Sequence, residues 1–315
     1  MSIAPLYEAI RQELRRVIFG QDHVLYLSLA ALFSGGHVLL EGVPGTAKTL
    51  LVRTLAAALQ MSFRRIQMTP DLLPNDITGS SIWREDRHEF EFQAGPVFTN
   101  FLLADELNRA SARTQSALLE SMQELTVTHA GVSHPLPQPF VVFATQNPIE
   151  QEGTYPLPIA QLDRFMLKIV VSYPDPAEEE RVLKEHHATG DRSTPERLGV
   201  KPVARPEDVL AAREIIRQTR VHDDVFRYVR RLVQATRDDD ALSVGASPRA
   251  GLLLLMGAKS LARFAGRDYV IPDDVKEAFL PAIRHRLVLS PSAELEGATA
   301  DDVLARLLDA VEVPR

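Results

Sequence analysis

The stretch that most limits what this chain can become is Gly42-Val43-Pro44-Gly45-Thr46-Ala47-Lys48-Thr49. A short apolar run at residues 37–41 precedes it, and a helical pattern at residues 49–59 follows. Strand, glycine-rich turn and helix in that order form the context a phosphate-binding loop needs. Small residues let the chain curl so that its N–H groups face one point, and the helix start adds a partial positive charge there. Lys48 is then placed to reach the β- and γ-phosphates of a nucleotide, and Thr49 to offer its hydroxyl oxygen to Mg²⁺. One position departs from the usual pattern. Ala47 stands where a glycine normally precedes the lysine, which is tolerable if that residue already has helical backbone.

Four further apolar runs, at residues 63–68, 101–104, 140–144 and 166–171, are bounded by turn or polar signals, with helical stretches such as residues 112–124 between some of them. Strands alternating with helices predict an α/β fold, a parallel sheet with helices on both faces. After Tyr173-Pro174-Asp175-Pro176 no segment reads as a strand. Residues 177–187, 206–219, 223–237, 248–264 and 272–285 read as helices. Several open with a proline near the first turn, where its missing N–H costs little. The expected organisation is therefore an α/β core over residues 1–175 and a smaller all-helical domain over residues 176–315, with a loop at residues 190–205.

The run at residues 101–104 ends in Asp105-Glu106. Side chains alternate along a strand, so adjacent carboxylates can serve different jobs. Asp105 suits a Mg²⁺ shell, and Glu106 suits the water that attacks a γ-phosphate. The run at residues 140–144 leads into Thr145-Gln146-Asn147-Pro148, where the Asn147 amide could orient that water; Asn-Pro is also a common turn dipeptide. Arg164, before the last run, reads either as a functional cation or as a locally paired one. Arg249 sits on the first turn of a helix, poorly placed for that helix's dipole. A nearby anion explains it better, with a local ion pair as the alternative.

Composition narrows the function classes. Of 315 residues, 45% are apolar and 24% charged, the balance of a globular protein. Thirty-five Lys and Arg against 42 Asp and Glu give a net charge of −7, which argues against a chain devoted to nucleic-acid backbones. With no cysteine there is no disulfide, iron–sulfur or thiolate-zinc framework, and the 9 histidines show no ligand spacing. The longest apolar run, residues 24–33, falls well short of the ~20 residues a membrane span needs. The start lacks a signal-peptide pattern. A soluble, cytoplasmic protein is expected.

These pieces in this order resemble the AAA+ ATPases, and most of all the MoxR family within the helix-2-insert group. The resemblance covers nearly the whole chain. It rests on residues 42–49, Ala104-Asp105-Glu106-Leu107-Asn108-Arg109-Ala110, Thr114-Gln115-Ser116-Ala117-Leu118-Leu119-Glu120, and residues 144–148 and 161–165. It implies a P-loop NTPase core with a helical lid, and ATP and Mg²⁺ as ligands. Residues 42–49 would be Walker A and Asp105-Glu106 Walker B. Asn147 would be sensor 1, Arg164 an arginine finger for a neighbouring subunit's ATP, and Arg249 sensor 2. Upstream, Val17-Ile18-Phe19-Gly20-Gln21 resembles the segment that wraps adenine, with Ile18, Gly20 and Gln21 as contacts; a glycine-capped helix end is the plain alternative.

The family forms rings, typically hexamers, and is chaperone-like. Its members remodel or mature other proteins, sometimes aiding metal or cofactor insertion, often with partners carrying a von Willebrand factor A-type domain. Residues 79–96 would be the helix-2 insert, with Glu89-Phe90-Glu91-Phe92 alternating as a half-buried strand and Trp83 across the turn. Residues 126–139 would form a hairpin with Gly131 near its tip. Both hairpins could line a pore or seal subunit edges. A nucleic-acid motor and a non-hydrolysing switch are the competing classes. Low basicity weighs against the first, and the set Glu106, Asn147, Arg164 and Arg249 against the second.

Overall fold

The computed structural model describes residues 3–148, 154–189, 194–195 and 197–314. In chain order the first part comprises α1 (Ile3–Leu14), α2 (Asp22–Ser34), β1 (Val38–Glu41), α3 (Lys48–Ala58), β2 (Phe63–Gln67), α4 (Pro74–Thr78), β3 (Gly79–Arg84) and β4 (Glu89–Ala94). Then come β5 (Phe101–Asp105), α5 (Ala112–Glu124), β6 (Thr126–His129), β7 (Val132–Pro135), β8 (Val141–Gln146), α6 (Ile159–Leu162) and β9 (Leu167–Val170). The remainder is α7 (Pro176–Thr189), α8 (Pro206–Arg217), α9 (Asp223–Asp238), β10 (Leu242–Val244), α10 (Pro248–Phe264), α11 (Pro272–Ile283), β11 (Val288–Leu289), α12 (Pro291–Leu295) and α13 (Ala300–Ala310).

All the apolar runs expected as strands enter one parallel sheet in the order β2-β5-β8-β1-β9. Alternation along the three central strands, β1, β5 and β8, feeds two cores. Val38 and Leu40, Phe101 and Leu103, and Val141 and Phe143 join one cluster; Leu39, Leu102 and Ala104, and Val142 and Ala144 join the other. A strand buried on both faces reads as a continuous apolar run, which is why β1, β5 and β8 are so plain in the sequence. β1 sits between β8 and β9, while the next strand in the chain, β2, lies at the far edge. That reversal opens a crevice beyond the carboxyl ends of the strands, where ligands of such sheets bind. The loop after β1 and the ends of β5 and β8 all face it.

After β9, among the described residues, the elements are helices, one short antiparallel pair, β10 with β11, and an isolated bridge between Arg220 and Tyr269, so the all-helical expectation for this region is corrected. With three and two residues these strands are too short to show a period in the sequence. The first core cluster continues through this region: Val209, Leu232, Leu254 and Phe279 belong to it together with Val38 and Leu167. The loop expected at residues 190–205 lies partly outside the described residues. No described helix is long and apolar enough to cross a membrane.

The two inserts are hairpins that touch. In β3–β4, Trp83 pairs across from Phe90; in β6–β7, His129 pairs with Val132 around Gly131. Phe92 stacks on His134 at 4.2 Å between ring centres, and Ser81 Oγ lies 2.9 Å from His129 Nε2. Phe90, nearer the turn, is 71% exposed, and Trp83 is 49% exposed.

Candidate functional site

The loop between β1 and α3 is held open by its own sequence. At Gly42 a Cβ would lie 2.4 Å from the Val171 carbonyl oxygen, so only glycine lets the loop leave β1 this close to the end of β9. Gly45 has φ +85°, and no heavy atom lies within 4 Å of where its Cβ would be. That position of the loop therefore faces open space. Ala47 differs from expectation: it is not helical but left-handed, with φ 59° and ψ 20°, as the residue that caps α3. An L-residue there carries strain of about 1–2 kcal/mol that a glycine would not. The loop geometry is thus kept at this position in spite of the side chain.

Lys48 Nζ donates to Gly42 O at 2.8 Å, to Val43 O at 2.7 Å and to Thr46 Oγ1 at 3.2 Å. Burial lowers its pKa below the ordinary lysine value, opposed by the charges of Asp105 and Glu106. Lys48, Thr49, Asp105, Glu106 and Asn147 line one cleft of about 590 Å³ with the loop itself.

The acidic pair is fixed by residues that sequence reasoning did not assign. Thr145, at the end of β8, is only 2% exposed. Its hydroxyl donates to Asp105 Oδ1 at 2.5 Å and accepts the Glu106 N–H at 2.8 Å. Glu106 itself has left-handed backbone, φ 57°, so its carboxylate leaves the strand direction at once. From β2, Arg65 Nε and Nη2 reach Asp105 Oδ2 at 3.0 and 2.7 Å. Gln67 Nε2 donates to Glu106 Oε2 at 2.6 Å, and Arg109 Nη1 reaches the same oxygen at 3.0 Å. Thr145 had a signal in its place just before Asn147. Arg65 and Gln67 had none, because their role depends on pairing with a strand far along the chain.

The upstream segment touches the loop through one residue. Gln21 Nε2 donates to Thr46 O at 3.0 Å, while its Oε1 is buried without a hydrogen-bond partner. Gly20 has φ +65°, and Ile18 is buried in the first core cluster. Arg164 and Arg249 do not line the cleft. Arg164 Nη1 donates to Leu119 O at 2.6 Å, in a separate depression of about 220 Å³ with Glu120, Glu124 and Gln161. Arg249 Nε lies 3.9 Å from Asp163 Oδ2, a carboxylate also bound by the buried Arg286 at 2.7 Å. The local ion pair left open as an explanation for Arg249 is therefore present.

The residues suit a nucleoside triphosphate with Mg²⁺. The open side of the loop leaves room for phosphates, and the buried acceptor on Gln21 suits an amino group beside it. The Thr49 hydroxyl and Asp105 carboxylate are hard oxygen donors, as Mg²⁺ prefers when phosphates and water complete its shell. Among the described residues there is no group of three or more His, Cys, Asp or Glu that could hold a metal alone.

Comparison with known proteins agrees with this geometry. Residues 37–167 match the ATPase family associated with various cellular activities (AAA), and residues 234–307 match the AAA lid domain. Chaperone MoxR1 of Mycobacterium tuberculosis is 47% identical over 312 residues, covering 96% of this chain and 81% of the relative. The Bacillus subtilis protein YeaC is 44% identical over 98% of this chain and 95% of its own length. Protein MoxR of Methylorubrum extorquens is 30% identical over 96% and 94%. A crystal structure of a Cytophaga hutchinsonii protein assigned as an ATPase superposes with a TM-score of 0.90 at 41% identity, covering 99% of this chain and 97% of that one.

Proposed function

The chain belongs to the MoxR family of chaperone-like AAA+ ATPases, and from that membership we propose that it hydrolyses ATP with Mg²⁺ in a ring of like subunits to remodel or mature partner proteins, metal or cofactor insertion included. Residues 42–49 hold the phosphates through their N–H groups, and the Lys48 ammonium exchanges its loop carbonyls for the β- and γ-phosphate oxygens. Thr49 and Asp105 would hold Mg²⁺, which when bound neutralises charge on those phosphates. Glu106 accepts a proton from the attacking water, and the Asn147 amide fixes that water's direction. The water oxygen bonds to the γ-phosphorus as the bond to the ADP oxygen breaks.

One observation carries the reading. The loop, the acidic pair and Asn147 converge on one cleft, while Arg164 opens onto a different surface. A site complete except for its last cation, on a chain that presents that cation elsewhere, supports catalysis across a subunit boundary. Arg249 joins as a lid residue once its pair with Asp163 gives way. Residues 1–175 then form the motor and residues 176–315 the lid. The hairpins act on the client, in concert with a partner of the von Willebrand factor A type, and a ring of six is the expected assembly.

Mixing two inactive variants tests this. Arg164→Ala subunits should bind ATP yet hydrolyse it about 10³-fold more slowly, since a finger supplied in trans is worth about 10³–10⁵. Lys48→Ala subunits should not bind ATP but still offer Arg164. Mixed rings should recover turnover, because an intact cleft can then face an intact Arg164. Mixed assemblies that form and stay inactive would refute the shared site.

A further inference from the structure

In the parallel pairing of β2 with β5, Phe63 lies beside Phe101, Arg65 beside Leu103 and Gln67 beside Asp105. Paired residues share a face of the sheet, so Arg65 and Asp105 project from the same side, one pleat apart. Phe63 packs against the core that holds Phe101 and Leu103. Arg65 cannot follow it, because a guanidinium left beside a buried leucine would lack partners. It extends instead along the strand to the carboxylate at the end of β5.

That contact has a consequence for the metal. Arg65 Nε and Nη2 both bond Asp105 Oδ2, and Thr145 bonds Oδ1. Both oxygens of the carboxylate offered to Mg²⁺ are therefore engaged. Arg65 takes both lone pairs of Oδ2, so the two cations compete for that oxygen, and a metal shell that uses it requires the Arg65 pair to loosen. The geometry allows it to. The Arg65 side chain is 49% exposed against 15% for Asp105, and β2 is an edge strand of the sheet. Arg65 lines the same cleft as Lys48, and phosphate oxygens bound there would add to the ligands that Asp105 alone offers the metal.

We propose that Arg65 is a positioning residue that holds Asp105 ready and competes with Mg²⁺ for it, so that the metal is admitted with the nucleotide and not alone. The inference rests on the nucleotide reading of the cleft and concerns how that site is regulated. Arg65 raises the Mg²⁺ concentration at which nucleotide binding is half-saturated. It does so without being the residue that binds ATP in the absence of metal.

The test uses the full chain and a fluorescent ATP analogue, titrated in EDTA and at rising MgCl₂. In Arg65→Ala the half-saturating Mg²⁺ concentration should fall about fivefold, the equivalent of about 1 kcal/mol for a partly exposed ion pair. Affinity in EDTA should stay within about twofold of wild type, since exposed charges contribute little alone. Arg65→Lys, which keeps the charge but loses the two-donor reach, should fall between the two. An unchanged or higher Mg²⁺ requirement in Arg65→Ala overturns the proposal. So does a collapse of affinity in EDTA, which would make Arg65 a phosphate ligand. If Lys48→Ala binds the analogue as well as wild type does, the nucleotide reading itself fails and takes this inference with it.

Discussion

Thr145→Val changes one hydroxyl into a methyl of nearly the same shape, so it opens no cavity. It removes two bonds at once: the one donated to Asp105 Oδ1 and the one accepted from the Glu106 N–H. A hydrogen bond to a charged group contributes about 1.5–3 kcal/mol, and a buried N–H left without a partner costs about 1–3 kcal/mol. Because both share one oxygen they do not add fully, and a loss of about 2–4 kcal/mol in folding stability is the expected size. The functional loss follows from backbone. Glu106 is held at φ 57°, a conformation about 1–2 kcal/mol above the right-handed one, and the Thr145 bond helps hold it there. Without that bond the carboxylate relaxes, and a displacement of about 1 Å in a catalytic group costs about 10² in rate. Steady-state phosphate release should fall about 100-fold in kcat, while the nucleotide dissociation constant moves less than about threefold, since the loop and Lys48 are untouched. Thr145→Ser should restore most of the rate. A Thr145→Val variant that is less stable yet turns over within twofold of wild type would refute the positioning argument and leave Thr145 a packing residue.

Two other residues lead to separate expectations. His37 is buried, with Nδ1 accepting the Val142 N–H at 3.0 Å and Nε2 facing Met122 O at 3.1 Å, which is the neutral ring. Burial lowers its pKa to about 4, against the Met122 bond that raises it, with Arg213 adding to the lowering. The unfolded chain binds this proton first, so the stability from neutral His37 is complete above about pH 6.5 and declines by about 3 kcal/mol as pH falls toward 4. Urea unfolding at pH 7.5 and 5.5 should show the loss beginning, and equal midpoints would contradict it. Trp83 meets Phe90 edge-on at 5.2 Å and is half exposed, so Trp83→Ala loses that ring contact, about 0.5–1.5 kcal/mol, and the burial of the covered half of the ring, without opening the core. It should keep the oligomer and basal turnover but lose stimulation by, or binding to, the protein partner; a broken oligomer would make it a packing residue.

Much of the motor was legible because its residues report on themselves. The central strands β1, β5 and β8 are apolar runs that end where polar chemistry begins, and α10 is bounded as read because Ser247 accepts the Ala250 N–H ahead of Pro248. α2 was not assigned, since its residues are buried nearly all round and show no stripe. α13 carries a readable start, since Thr299 and Asp302 exchange the paired bonds of a capping box, yet it lies beyond the helices expected from the sequence. The hairpins were expected from the resemblance, but their mutual clasp through Phe92 and His134 needs the fold. Arg65 and Gln67 illustrate the limit best. On an edge strand they read as solvated residues, and only the register with β5 turns them toward Asp105 and Glu106. Ala47 shows the opposite limit: the sequence reads as helical backbone there, and the structure holds it left-handed.

The central claim is that Glu106 acts on water while the loop around Lys48 holds the nucleotide. Nucleotide binding and turnover measured side by side on Glu106→Gln and Lys48→Ala test it most directly. Glu106→Gln should bind ATP like wild type, because the loop and Asp105 remain, and should hydrolyse it about 10²–10⁴-fold more slowly, the worth of a general base. Lys48→Ala should lose binding itself. Wild-type turnover in Glu106→Gln, or undiminished ATP binding in Lys48→Ala, would contradict the account.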